Sequence, residues 1–431
     1  MGKLALYGGN PVFAKPLQPQ WPQFDGRDER ALLEVFRSGS WWRGGTIEGQ
    51  AASACGRFER AFAAYHGAHA GLACCNGTIA LELALRAVGV RAGDEVVVPA
   101  LSFVVSASAC LPLGAVPVFA DCDPVTLQPD PAAIEAALSP RTAAIVIVHF
   151  GGYPADLDGI PRLARRHGLA LIEDSAHGQG SQWRVRGVGT YGDYGTFSFQ
   201  QFKGLTCGEG GLVLCRSRDH WHRAYRYHNL GRLEDQGLYD FHEPSSNYRL
   251  TDLQGALLNP QLARLKRQIP RKMRGAAYLS AAFRKLGGLE PLPDDPRITR
   301  RGYYYYLLQY DREAFAGMGR ERLRQALAAE GVPLGQAYGR AIHQTPLFAA
   351  MKQPRRYAGA QYRKTRCPAA ERAAAETVCT LLHPLLLSDR ATLARIVEAV
   401  AKVKEHSAEL AAPRAGATPA PPPGPTRARR R

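Results

Sequence analysis

The sequence predicts an α/β protein with a large, mostly parallel sheet wrapped by helices and a smaller α/β unit towards the C-terminus. Three observations predict it. From Ala70 to about Cys215, short apolar strands alternate with helical segments, the pattern of parallel strands joined by crossover helices. Several strands are unbroken apolar runs, such as Ala143-Ala144-Ile145-Val146-Ile147-Val148, as required when both faces of a strand are buried. Polar and glycine-rich turns follow the strands, at the carboxyl ends where such sheets bind ligands.

In chain order, the first forty residues are rich in proline and aromatics (Pro11, Pro16, Pro19, Trp21, Pro22, Phe24) and form an irregular arm, then a helix from Asp28 to Ser38. The loop Trp41-Trp42-Arg43-Gly44-Gly45 suits a packing plug, a substrate lid or a dimer contact. Candidate strands follow at 71–74, 95–98, 116–120, 143–148, 170–173, 195–199 and 211–215. A polar helix from Asp219 to Asn229 leads to Asn247-Tyr248-Arg249-Leu250-Thr251-Asp252 and a long helical region to about Leu286, which Pro260 and Pro270 are expected to kink or divide. The second unit has an aromatic strand at Tyr303–Tyr310, a helix at Arg320–Glu330 and a last helix from Asp389 to about Glu409. The domains predicted are an arm and loop (1–45), a large domain (46–270), a small C-terminal domain (271–410) and a disordered, basic, Pro-rich tail (411–431).

The composition, 45% apolar and 22% charged over 431 residues, is that of a soluble globular protein large enough for a sizeable core. No apolar run approaches a membrane span, and the N-terminus is too quickly polar for a secretory signal. Nine cysteines form no CxxC pair and no His-Cys cluster, which argues against a disulfide framework or a zinc site and favours a reducing cytoplasm. The net charge of +17 raises the question of nucleic acid, but five of those charges lie in the tail (Arg414, Arg427, Arg429, Arg430, Arg431). Elsewhere acids are scattered among the arginines, so attraction of anionic small molecules is the more economical reading.

The chemistry gathers at strand ends. Between Thr196 and Gly211 the chain places Ser198 and a lone lysine, Lys203, ahead of a loop with Gly204, Gly208, Gly210 and Gly211. A lysine in an apolar pocket is driven towards the neutral amine that forms Schiff bases, and glycines let a backbone approach a ligand. The bland alternative is a surface lysine beside a flexible loop. Asn76-Gly77-Thr78 lies between a strand and a helix, where free N–H groups can receive a phosphate. Glu173-Asp174-Ser175-Ala176-His177 closes a buried strand. Such an acid pair can cap a helix or bind a metal, and Asp174 can also keep a pyridine nitrogen protonated. His177 suits either a structural role or a hydrogen bond to a ring substituent. Phe103 follows another strand and suits the core or a stacking face for a cofactor ring. Together, a phosphate turn, a stacking ring, a buried acid and a lysine match the needs of pyridoxal 5′-phosphate.

The segments Asn76-Gly77-Thr78-Ile79-Ala80-Leu81, Glu173-Asp174-Ser175-Ala176-His177, Ser198-Phe199-Gln200-Gln201-Phe202-Lys203 with Gly208-Glu209-Gly210-Gly211, and Asn247-Tyr248-Arg249-Leu250 carry a resemblance. Their order is similar to that of the DegT/DnrJ/StrS family of sugar and cyclitol aminotransferases, over roughly residues 10 to 405. The resemblance implies a fold-type I, aspartate-aminotransferase-like architecture and a homodimer with pyridoxal 5′-phosphate at the subunit interface. It implies that Lys203 forms the Schiff base and moves the proton, that Asp174 partners the pyridine nitrogen, and that His177 lies near the ring hydroxyl. It also implies that Phe103 stacks on the ring, that Gly77, Thr78 and Ser198 hold the phosphate, and that Asn247 reaches the phosphate of the neighbouring subunit.

Gln200-Gln201 stands where sugar-nucleotide branches carry a histidine after the Ser-Phe pair. With Trp41-Trp42-Arg43, it resembles the branch of glutamine:scyllo-inosose aminotransferases and 3-amino-5-hydroxybenzoate synthases. The resemblance thus implies amino transfer from glutamine or glutamate to a cyclic ketone, a keto-cyclitol or keto-sugar, in antibiotic or secondary-metabolite biosynthesis. The alternatives are an aromatising dehydratase of the aminohydroxybenzoate type and a nucleotide-sugar aminotransferase. No metal, nucleic acid or membrane partner is expected. Arg249 and Arg340 are the candidates for binding the donor carboxylate.

Overall fold

The computed structural model describes residues 2–44, 47–234, 236–237, 239–351 and 365–412. Gly45, and the tail from residue 413 onward, lie outside the described residues.

Seven strands form the main sheet: β1 (Ala70–Cys74), β2 (Glu95–Pro99), β3 (Val116–Ala120), β4 (Thr142–Val148), β5 (Ala170–Asp174), β6 (Tyr194–Ser198) and β7 (Gly211–Cys215). Their spatial order is β1-β7-β6-β5-β4-β2-β3. Only β7 runs against its neighbours, pairing antiparallel with both β1 and β6. The six parallel strands therefore end on one edge, where β7 begins; in register, Ser198 faces Gly211 and Gly211 faces Cys74. Val96, Ile145, Ile147, Ile172 and Leu212 are fully buried, which is the thermodynamic reason for their all-apolar pattern.

Helix α1 (Gly26–Ser38) carries a capping box between Asp25 and Asp28. The next helices used here are α2 (Ala54–His66), α3 (Gly77–Ala87), α4 (Gly159–Arg166) and α5 (Arg218–His228). Asn76 caps α3, its Oδ1 accepting from the Ile79 amide at 2.9 Å.

Helix α6 (Asp252–Leu286) corrects one expectation: Pro260 and Pro270 lie inside it and do not divide it. The buried stripe Leu258, Leu262, Leu265, Ile269, Lys272, Ala276, Leu279 and Phe283 runs past both prolines at spacings of three and four. That packing outweighs the hydrogen bonds the two prolines remove. Arg264 adds a clamp, reaching Asp28 on α1 at 2.6 Å and the capping residue Asp25 at 2.8 Å. The 46–270 and 271–410 segments thus share this helix.

The same stripe holds one charged residue, Lys272, which is fully buried and has no carboxylate partner among the described residues. Burial pulls its amine down to about 7.

Beyond α6, strands β8 (Leu289–Pro291), β9 (Tyr305–Tyr310) and β10 (Val378–Leu382) form an antiparallel sheet in the order β8-β9-β10. Helices α7 (Arg320–Ala329) and α8 (Arg390–Glu405) share its core through Leu323, Leu327, Ile396 and Val400. Helix α8 stops at Glu405, and a separate short helix, Ser407–Ala411, follows. A small ribbon of Gln182–Trp183, Arg186–Gly187 and Ile298–Arg300 straps the two parts together and leads the chain into Tyr303. All nine cysteines are unpaired thiols. No helix of the described residues is long and apolar enough to cross a membrane.

Candidate active site

A cavity of about 600 Å³ opens at the carboxyl edge of the main sheet. The turn Asn76-Gly77-Thr78, the ends of β5 and β6, the loop after β6 and the start of β9 converge on it.

The helix α3 N-terminus forms one wall. The amides of Gly77 and Thr78, in its first turn, find no acceptor among the described residues. Glycine is required here by proximity: a Cβ on Gly77 would lie 2.6 Å from Ser198 Cβ, and one on Gly211 would lie 2.2 Å from the Asn76 carbonyl oxygen. These contacts press Ser198, the start of β7 and the α3 turn together, so Ser198 and Thr78 line the cavity at one helix N-terminus, a position that suits an anion.

Asp174 ends β5 and is nearly buried. Its Oδ2 accepts from Ser106 Oγ at 2.7 Å, itself linked to Ser102 Oγ at 2.9 Å, and its Oδ1 accepts from the Ala176 amide at 3.2 Å. Burial raises its pKa, opposed by the Ser106 hydroxyl, the Ala176 amide and the Lys203 charge. Glu173, next along the strand, points to the other face. There it accepts from the amides of Gly189 (2.7 Å), Tyr191 (2.6 Å) and Gly192 (2.8 Å) and pairs with His149 Nε2 at 2.9 Å. Burial opposes its ionisation, but His149 and these amides bring its pKa below the usual value. No helix directly follows the acid pair, so Asp174 is not a helix cap.

His177 is buried, its Nδ1 accepting from the Gly151 amide at 3.3 Å and its Nε2 lying 3.3 Å from Tyr338 Oη. The proton therefore sits on Nε2 and points at the phenol. Burial, and then the Lys203 charge, keep the imidazole neutral. Phe103 is 53% exposed on the cavity wall, 5.8 Å from the Tyr338 ring, so it is not a core residue.

Lys203 follows β6 on a tightly held loop. Trp21 Nε1 donates to the Gln201 carbonyl (3.0 Å) and Gln200 Oε1 accepts from the Phe202 amide (2.9 Å). Gln179 Nε2 donates to the Ser198 and Leu205 carbonyls, while its Oε1 accepts from the Leu205 amide at 2.7 Å. The half-buried lysine lines the cavity beside Tyr304, and burial pulls its amine down to about 8, against the pull of Asp174. It is no free surface lysine.

The structure thus brings Gly77, Thr78, Phe103, Asp174, His177, Ser198 and Lys203 to one cavity. It leaves Asn247 outside: this residue is exposed, bridges to Asn229, and accepts from the Arg249 amide at 3.2 Å. Arg249 binds Asn229 Oδ1 at 2.7 Å and Arg340 is exposed; neither lines the cavity. Trp41 stacks on Phe36, Trp42 bridges to Thr251, and buried Arg43 pairs with Glu59 at 2.8 Å, so in this chain the loop packs away from the cavity. Sequence reasoning missed Tyr304, Tyr305 and Tyr338, which line the cavity, and Ser106, which supports Asp174. The run Tyr303-Tyr304-Tyr305-Tyr306 was the available signal, read only as a strand.

The model of the DegT/DnrJ/EryC1/StrS aminotransferase family matches residues 22–401. The chain is 40% identical over 421 residues to a putative L-glutamine:3-amino-2,3-dideoxy-scyllo-inosose aminotransferase of Streptomyces kanamyceticus, covering 95% of this chain and 98% of the relative. It is 39% identical over 425 residues to an L-glutamine:2-deoxy-scyllo-inosose aminotransferase of Streptoalloteichus tenebrarius, covering 95% and 99%. Among solved structures, 3-amino-5-hydroxybenzoic acid synthase superposes with a TM-score of 0.81 at 35% identity, covering 90% of this chain and 99% of that one.

Proposed function

The chain belongs to the DegT/DnrJ/EryC1/StrS aminotransferase family and is an aminotransferase; on that premise we propose that it moves an amino group from glutamine to a small keto-cyclitol, using pyridoxal 5′-phosphate. The observation that carries this reading is the pairing, in one cavity, of a lone amine held near neutrality, Lys203, with a buried carboxylate, Asp174, beside an open helix N-terminus.

The residues present fit that cofactor. The free Gly77 and Thr78 amides and the Ser198 hydroxyl suit its phosphate, and the exposed ring of Phe103 suits its ring face. Asp174 suits the pyridine nitrogen, and the Tyr338–His177 pair suits a ring hydroxyl. When bound, the cofactor supplies an electron sink for the carbon that loses its proton.

Lys203 Nζ, with its pKa near 8, is partly neutral at physiological pH, so it can take a proton from the donor Cα and return one to the product. The Asp174 carboxylate, whose ionised form the Ser106 hydroxyl and the Ala176 amide favour against burial, would keep a proton on the pyridine nitrogen of the bound cofactor. Phe103, Tyr304, Tyr305 and Tyr338 wall the cavity and limit water. Asn247, exposed on its loop, is proposed to serve the cavity of a second copy, which makes the working unit a homodimer.

The acceptor follows from the relatives named above and from the polar lining that Gln200, Asn76 and the three phenols provide. A site built on such groups rejects analogues that lack the bonded hydroxyl. Purified protein given glutamine labelled with nitrogen-15 at its α-amino group should pass the label to 2-deoxy-scyllo-inosose or scyllo-inosose. A nucleotide-linked 4-keto-hexose should receive little or none. Faster labelling of the nucleotide sugar would replace the acceptor, and an aromatic product from a cyclic precursor would favour the aminohydroxybenzoate reaction.

A further inference from the structure

Among the described residues, the Lys203 amine makes no salt bridge and no hydrogen bond. What it meets is an aromatic face: Nζ lies 4.4 Å from the centroid of the Tyr304 ring. The face of a phenol ring carries negative charge density, so it favours an ammonium over an amine.

The placement of that ring is heavily determined. Tyr303 holds φ at +51°, in the left-handed region that an aromatic residue adopts only under constraint. The constraint comes from several elements. The Gly302 amide donates to Ser181 Oγ at 2.9 Å, and its carbonyl faces the buried Lys272 Nζ at 3.4 Å. Arg301 lies 4.3 Å over the Tyr303 ring. Gly152 leaves room for the Tyr303 and Tyr304 amides, which a Cβ there would approach to 3.0 and 3.2 Å. The Tyr304 ring is then stacked by His177 at 4.1 Å and 22°, and flanked by Tyr305 at 4.4 Å. A strained backbone fixed this firmly at a cavity wall points to a function for the side chain that follows it.

We propose that Tyr304 is a positioning residue for Lys203: its ring face is where the ammonium rests whenever the amine is not engaged by cofactor or donor. The functional meaning of this contact rests on the aminotransferase reading; the contact itself does not. The groups facing Lys203 are Asp174 from β5, the neutral His177 ring, the phenols of Tyr304, Tyr305 and Tyr338, and Glu209 from the loop before β7. Asp174 and the ring face both favour the charged amine, while burial favours the neutral one. Removing the ring face therefore lowers the pH at which Lys203 becomes nucleophilic.

The test uses protein freed of cofactor. Lys203 is labelled with trace acetic anhydride across pH 6 to 10 and its peptide is quantified by mass spectrometry, in the native protein and in Y304F, Y304L and Y304M. The midpoint of the native protein should lie near 8. Y304F, which keeps the ring, should match it. Y304L and Y304M should move it down by about 0.5 to 1 pH unit. With cofactor restored, the Leu and Met variants should lose kcat at least about tenfold with little change in the donor KM, as expected when a proton carrier is misplaced. Two aliphatic variants guard against one failing to fold, checked by thermal melting. An unchanged midpoint in the folded aliphatic variants, or a Phe variant that shifts as they do, overturns the proposal. A shifted midpoint in a protein that transfers no amino group would uphold the contact and sink the aminotransferase reading instead.

Discussion

Replacing Lys203 with alanine should abolish amino transfer, with turnover falling about 10⁴-fold or more, while the cofactor still binds reversibly. The size follows from the two roles proposed for it, which are lost together: engaging the cofactor and carrying the proton, the second alone contributing about 10² to 10⁴. Among the described residues no other lysine lines the cavity. Binding should persist because the phosphate seat proposed at Gly77, Thr78 and Ser198 does not involve the lysine. Thermal stability should be unchanged or slightly higher, because a buried amine held at about 8 favours unfolding below its ordinary pKa. Mixing this variant with Asn247→Ala should restore part of the activity if Asn247 serves a second copy, since each mixed dimer then contains one intact site. No recovery after verified subunit exchange would confine Asn247 to its own chain.

Asp174→Asn should keep the fold and lower kcat by about 10² to 10³. The amide oxygen can still accept from the Ala176 amide, and the new NH2 can donate to the Ser106 hydroxyl, whose own proton then turns to Ser102, so the local contacts survive. What it cannot do is keep a proton on a ring nitrogen facing it. Each pKa unit lost at that nitrogen is about 1.4 kcal/mol of the electron-sink effect, so two units account for the lower figure. The pH profile gives an independent reading. Burial raises the Asp174 pKa, so in the native enzyme activity should fall on the acid side as this carboxylate takes up a proton. The Asn variant, with nothing to titrate, should lack that limb. Near-normal rates in the variant would reduce Asp174 to a partner for Ser106.

The parts of this site that were legible in the sequence are local. A Gly-Thr pair opening a helix, an acid closing a buried strand, and a lysine before a glycine-dense loop each carry their chemistry within a few residues, and the parallel-strand pattern puts them on one edge. The groups that complete the cavity come from afar. Tyr304 and Tyr338 reach it from the second part of the chain, and Trp21 and Gln179 hold the Lys203 loop through its carbonyls. Such contacts leave no periodic trace. Glu173 shows the limit of motif reading in the other direction: beside Asp174 in sequence, it faces away and binds three amides and a histidine. Pro260 and Pro270 show local propensity overruled by a buried stripe that continues through both. The surroundings of Asn247 in this chain do not reveal its use.

The central claim is that the cavity at the sheet edge is built around one amine, and a single mapping experiment tests it. Among the described residues two lysines are held far below the usual value by burial, Lys203 at about 8 and Lys272 at about 7. Only the first lines the cavity; the second is sealed in the α6 stripe. Protein incubated with pyridoxal 5′-phosphate, reduced with borohydride and digested should carry the phosphopyridoxyl group on the peptide containing Lys203, near one per chain. The same group on the Lys272 peptide, or spread over surface lysines with Lys203 unmodified, would contradict the account.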